Sequence, residues 1–206
     1  MRSVARIASL LLTALMLDIM GPASTAKANT APTQGYWLVG DDGGIFALGD
    51  AGFHGSMGGK PLNEPIVGMA STPDGGGYWG VAADGGVFAF GDAGYHGSMG
   101  GKPLNYPVSG MASAPDGDGY WLVGEDGGVF AFGDAPFLGS FGGPHGFASA
   151  FEGIVATASG NGYWMPLADG GVFLYGDASY QGDASLIVNS RSYMVGMAAD
   201  LAPAAG

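Results

Sequence analysis

Gly-Tyr-Trp occurs four times, at Gly35, Gly77, Gly119 and Gly162, in steps of 42, 42 and 43 residues. Seven residues after each Gly stands Asp-Gly-Gly, at Asp42, Asp84, Asp126 and Asp169. The strings run on as DGGIFALGDA, DGGVFAFGDA, DGGVFAFGDA and DGGVFLYGDA, and all four Trp residues fall in this frame. One unit copied four times restricts the chain to architectures in which each copy buries its apolar faces against its neighbours. Helical repeats are excluded by composition. The chain of 206 residues holds 42 Gly, and an interior Gly costs a helix about 1 kcal/mol relative to Ala. With 12 Pro as well, an aperiodic chain would suggest disorder. The period and a hydrophobic content of 47% argue for a packed core instead.

Each unit divides into short β segments. Tyr36-Trp37-Leu38-Val39 is aromatic and β-branched, as strands are. Asp42-Gly43-Gly44 supplies the positive φ that a two-residue hairpin turn requires, and Ile45-Phe46-Ala47-Leu48 returns. Phe53-His54-Gly55-Ser56 reads as a short outer strand. Ile66-Val67-Gly68-Met69-Ala70 is another, closed by the turn Pro73-Asp74-Gly75. Four strands in about 42 residues is the size of a propeller blade. The strands are apolar on both faces, which suits a blade covered on both sides, and each Trp is expected between blades.

The two ends are complementary. The first Gly-Tyr-Trp has no Gly-Met-Ala strand before it, and the last unit carries an extra one, Tyr193 to Ala198. Counted at Gly68, Gly110, Gly153 and Gly196, that strand also has four copies. Four complete blades require the C-terminal strand to pair with the N-terminal hairpin, Met194–Ala198 beside Tyr36–Val39, which removes the bare edge. The expected fold is therefore all-β, a closed four-bladed β-propeller forming one domain over residues 29–206. An open array completed by dimerisation is the second possibility and a β-solenoid the third.

The unit GYWLVG-x-DGGVFAFGDA-x-x-x-GSMGGKPLN resembles a repeat of secreted actinobacterial proteins, over about Gly35 to Ala198. The resemblance implies a propeller-like extracellular or cell-envelope accessory module, often beside cell-wall hydrolase or peptidase domains. It implies no catalytic residues.

Residues 1–28 read as a secretory signal: basic Arg2 and Arg6, the apolar core Ile7 to Leu17, and the cleavage site Ala26-Lys27-Ala28. Asp18 interrupts the segment, and a membrane span needs about 20 apolar residues. The mature chain then keeps three cations, Lys60, Lys102 and Arg191, against 17 carboxylates, a net charge of −14. Such a surface repels nucleic acid and anionic lipid. It suits solubility, cations or neutral partners such as glycans. There is no Cys, so the expected secreted fold has no disulfide.

The Asp-Gly-Gly turns weakly resemble the sialidase Asp-box, but a turn-stabilising Asp is the simpler reading. Arg191 alone cannot supply a sialidase arginine cluster. Asp50, Asp92, Asp134 and Asp177, in Gly-Asp-Ala, could ring a channel end around Ca²⁺ or merely cap turns; turn chemistry is preferred. His54 and His96 are equivalent, but Leu138 and Gln181 replace them in later copies and His145 sits in an irregular loop, so no metal is expected. No nucleophile-elbow motif flanks a Ser. The loops Ser56–Asn63 and Ser98–Asn105 both read SMGGKPLN and hold two of the three cations. Binding residues concentrate in loops on a rigid scaffold. The candidate ligand site is accordingly Lys60, Asn63, Lys102 and Asn105, a local basic spot over the first two blades, with His54, His96 and Tyr106 adding stacking and hydrogen bonds. The expected function is a secreted, non-enzymatic binding or scaffold module for cell-wall glycan or an extracellular protein, monomeric and without cofactor. The competing class is a secreted hydrolase using channel carboxylates with Ca²⁺.

Overall fold

The computed structural model describes residues 34–142, 149–186 and 193–199; the expected leader and His145 lie outside them. The described residues hold no helix. They form β1 (Gly35–Val39), β2 (Ile45–Gly49), β3 (Ile66–Ser71), β4 (Gly77–Ala82), β5 (Val87–Gly91), β6 (Val108–Ser113), β7 (Gly119–Gly124), β8 (Val129–Gly133), β9 (Val155–Ala156), β10 (Gly162–Pro166) and β11 (Val172–Gly176). The sheets are antiparallel, in the orders β1–β2, β3–β4–β5, β6–β7–β8 and β9–β10–β11. The all-β class and the repeat frame are as expected.

One hairpin is built four times. Gly35 faces Gly49 and Val39 faces Ile45, and the other three hairpins repeat the register. The loop is longer than a two-residue turn. Gly43 N–H donates to Gly40 O and Gly40 N–H to Gly44 O, enclosing Asp41, Asp42 and Gly43. Gly43, at φ 77°, takes the left-handed position that ends a three-residue loop. Asp42 locks the turn, its carboxylate accepting Gly44 N–H at 2.8 Å. Asp84, Asp126 and Asp169 do the same to Gly86, Gly128 and Gly171, so the repeated Asp is a turn residue.

The expected outer strand does not form; each complete unit has three strands. In Phe53–Ser56 the backbone is used by the next unit instead. Tyr78 Oη accepts His54 N–H at 3.0 Å and donates to Gly55 O at 2.7 Å. Tyr120 clasps His96 and Gly97 identically, and Tyr163 clasps Leu138 and Gly139. Each unit thus grips its predecessor through the Tyr of Gly-Tyr-Trp. The neighbouring indole N–H braces its own unit: Trp37 to Gly52 O, Trp79 to Gly94 O, Trp121 to Pro136 O and Trp164 to Ser179 O.

Apolar side chains between units form the core. One cluster centres on Trp79, Val81, Val108, Tyr120 and Leu122, and the next on Trp121, Val123, Phe151, Tyr163 and Met165. Strands β4 and β7 are buried along their whole length. Only Trp79 and Trp121 are fully buried. Trp37 and Trp164, in the outer units, are half-buried, contrary to the expectation for all four. The first strands of successive units approach backbone to backbone. A Cβ on Gly110 would stand 3.1 Å from Gly153 Cα, so a side chain there would require the facing backbone to give by a few tenths of an ångström.

One inter-unit bond opens β3 and β6, Ile66 N–H to Asp41 O and Val108 to Ala83 O, and its equivalent ahead of β9 runs from Phe151 to Glu125 O. Met194 N–H donates to Ala168 O at 2.9 Å, the fourth copy of this bond. There the repetition stops. Residues 193–199 form no strand, and β1–β2 has no third strand among the described residues. The ladder expected between Met194–Ala198 and Tyr36–Val39 is not formed in this structure, and Tyr36 is left 59% exposed.

Candidate functional site

The SMGGKPLN loops begin at a bond to the preceding hairpin turn. Met57 N–H donates to Gly43 O, and Met99 N–H to Gly85 O. A tight turn follows, with Lys60 N–H on Met57 O and Lys102 N–H on Met99 O. Each lysine then folds back: Lys60 Nζ donates to Ser56 O at 3.0 Å and Lys102 Nζ to Ser98 O at 2.8 Å. Lys102 Nζ also lies 6.0 Å from the centre of the Phe132 ring. One donor of each ammonium is therefore used within its own loop.

Both loops wall clefts at equivalent places. A cleft of about 490 Å³ is lined by Lys60, Asn63, Asp41, Asp42 and Glu64. Its counterpart, about 340 Å³, is lined by Lys102, Asn105, Asp84, Tyr106 and Glu64. The structure thus brings Lys60 to Asn63, and Lys102 to Asn105 and Tyr106. Each lysine shares its cleft with at least two carboxylates, so the clefts are polar and mixed in charge, not basic. Asn105 and Tyr106 also line a third cleft, of about 300 Å³, with Asp126, Phe130, Phe137 and Ser140.

His54 and His96 stand apart from these clefts. The His54 ring packs edge-on to Tyr78, centroids 5.5 Å apart, and 6.3 Å from Trp37. His96 repeats this with Tyr120 and Trp79. Both Nε2 atoms are buried without a hydrogen-bond partner in the protein. These histidines are parts of the inter-unit packing.

Three of the four Gly-Asp-Ala carboxylates, those of Asp50, Asp92 and Asp177, accept hydrogen bonds near strand ends. Thr72 Oγ1 donates within reach of both Asp74, at 2.9 Å, and Asp92, at 3.2 Å. Thr157 donates to Asp177 at 2.9 Å, and Gln34 N–H to Asp50 at 3.3 Å. Gly76 N–H, with the Thr72 hydroxyl, holds the Asp74 carboxyl below its ordinary value. Among the described residues, no three His, Asp or Glu side chains gather as metal ligands would.

Two features escaped sequence reasoning. One is the Tyr clasp, whose signal was a Tyr fixed beside each Trp. The other is an exposed aromatic in every unit, Phe53, Tyr95, Phe137 and Tyr180, recurring in the same frame.

The sequence matches no protein-family model and no curated protein. Among solved structures it is similar to the β-propeller domain of Cps50 (Swd1) from Myceliophteria thermophila, at 12% identity and a TM-score of 0.47. The match covers 68% of this chain and 47% of that one, so the chain spans about half its length.

Proposed function

We propose that this chain is a secreted, non-enzymatic binding or scaffold module, with cell-wall glycan or an extracellular protein as partner. The observation that carries the reading is the division of labour within each unit. In the two central units the strands and the Trp and Tyr of Gly-Tyr-Trp are committed to the core and the clasps, while Lys60, Asn63, Lys102 and Asn105 line clefts that packing does not fill. Polar side chains on a rigid repeated frame suit recognition. A formal charge of −12 disfavours nucleic acid and anionic membrane.

The reading includes a closed four-bladed propeller, monomeric and released to the cell wall after loss of its leader. Three observations support closure. Met194 N–H makes a fourth copy of the inter-unit bond made by Ile66, Val108 and Phe151. Gly182, at φ 106°, offers beside Gln181 the backbone pair that a Tyr would clasp. Tyr36 is the Tyr without such a pair. Joining these ends completes the fourth blade and removes the edge of β1.

The test is a cell-wall glycan pull-down run beside glycosidase and esterase assays. Wild type is expected in the pellet without turnover, and Lys60→Ala/Lys102→Ala is expected to lose most of the binding. Binding unchanged in the double variant places the contact elsewhere. Turnover abolished by Asp92→Asn establishes the hydrolase class instead.

A further inference from the structure

Phe53, Tyr95, Phe137 and Tyr180 each stand three residues after the Asp of Gly-Asp-Ala. They are 62%, 61%, 63% and 60% exposed. Their neighbours drift from copy to copy: Gly52, Gly94, Pro136 and Ser179 precede them, and His54, His96, Leu138 and Gln181 follow. The ring persists while both sides change, and the core does not use it. A large apolar group kept in water at a fixed place in every unit is a contact surface.

At the boundary of the second and third units that ring has partners. Phe137 shares the 300 Å³ cleft with Tyr106, Phe130, Asn105 and Asp126. Tyr106 is itself 39% exposed. Asp126 spends one carboxylate oxygen on Gly128 N–H and keeps the other. The Asn105 amide makes no hydrogen bond among the described residues. At the preceding boundary Glu64 stands where Tyr106 does here, so the aromatic pair belongs to this cleft.

We propose that this cleft is a subsite for one neutral pyranose ring of a glycan, an assignment that rests on the glycan reading above. A sugar ring has an apolar C–H face and a rim of hydroxyls. Phe137 and Tyr106 match the face; the Asn105 amide and the free oxygen of Asp126 match the rim. A few fixed polar groups in an aromatic-walled cleft of this size are what small-ligand sites use. Neutrality follows from charge. Asp126, together with Asp84 and Glu64 beside the adjoining cleft, repels sulfated or uronic sugars, and the nearest lysine, Lys102, is turned onto Ser98 O. A nucleobase would stack as well, but its phosphates would be repelled.

The test is calorimetric titration of the full chain with chitohexaose, cellohexaose and a heparin hexasaccharide. One of the two neutral oligosaccharides is expected to bind and heparin is not. Phe137→Ala and Tyr106→Ala are each expected to weaken binding at least tenfold with an unchanged melting temperature, since both rings are exposed. Asn105→Ala, which removes no apolar packing, is expected to weaken it as well. Neutral-glycan binding that survives all three changes overturns this subsite and leaves the glycan reading standing. Failure of both neutral oligosaccharides to bind overturns the subsite and the glycan reading together, and preference for heparin overturns the neutral assignment.

Discussion

His54 and His96 bury an Nε2 atom that meets no partner, and the third unit shows the alternative. Leu138 occupies the same position, and its N–H still donates to the clasping tyrosine, Tyr163, at 3.3 Å. The backbone bond does not depend on the side chain. A buried polar atom without a partner costs about 1–3 kcal/mol. His96→Leu is therefore expected to stabilise the protein by about 1 kcal/mol in urea denaturation, since the aliphatic chain fills less of the aromatic site. The glycan binding proposed above should be unaffected, because the ring faces Gly94 and Tyr120 and not the clefts. At this scale the sequence was partly legible. Asp42 and its three equivalents read correctly as turn residues, because an Asp two residues before a Gly has one short-range use. The packing of His54 and His96 was not legible, because it depends on the Trp of their own unit together with the Tyr of the next, 24 residues further on.

At the scale of elements, the hairpins were legible and their connections were not. Alternation of aromatic strand, Asp-Gly-Gly and aromatic strand has a local cause. Phe53–Ser56 has strand-like composition too, but Tyr78 takes its N–H and C=O, and Gly55 at φ 128° breaks the extended run. The clasp is the device that replaces the missing strand. Tyr120→Phe strands His96 N–H and Gly97 O while keeping the ring. The expected loss is about 1–3 kcal/mol, read from the urea midpoint. Tyr36→Phe is the informative comparison. If the ends are joined as proposed, it costs as much as Tyr120→Phe. A change within about 0.5 kcal/mol, usual for exposed positions, would mean that Tyr36 stays in water and the ring is open.

For the whole molecule, repetition was legible to within a residue; the complementary ends also pointed to a closed ring, but among the described residues only the Met194 bond to Ala168 forms and the ladder to β1 does not. The polar character of the clefts was hidden: two lysines in an acidic chain suggest a basic spot until the fold places Asp41, Asp42, Asp84 and Glu64 around them. The clasps also set a mechanical property. Each joins only successive units, so stability is a sum of neighbour terms. A chain anchored at one end and pulled at the other should therefore yield in steps. If the ends are joined as proposed, the seam between Tyr36 and Gly182 is expected to open first; one unit at a time then pays out roughly 140 Å of slack, at about 3.4 Å per residue. Single-molecule stretching should show that spacing; one cooperative rupture would contradict it. If it is held between a wall and a partner as proposed, such a protein would act as a shock absorber, lengthening by one unit under load while the units still folded stay packed.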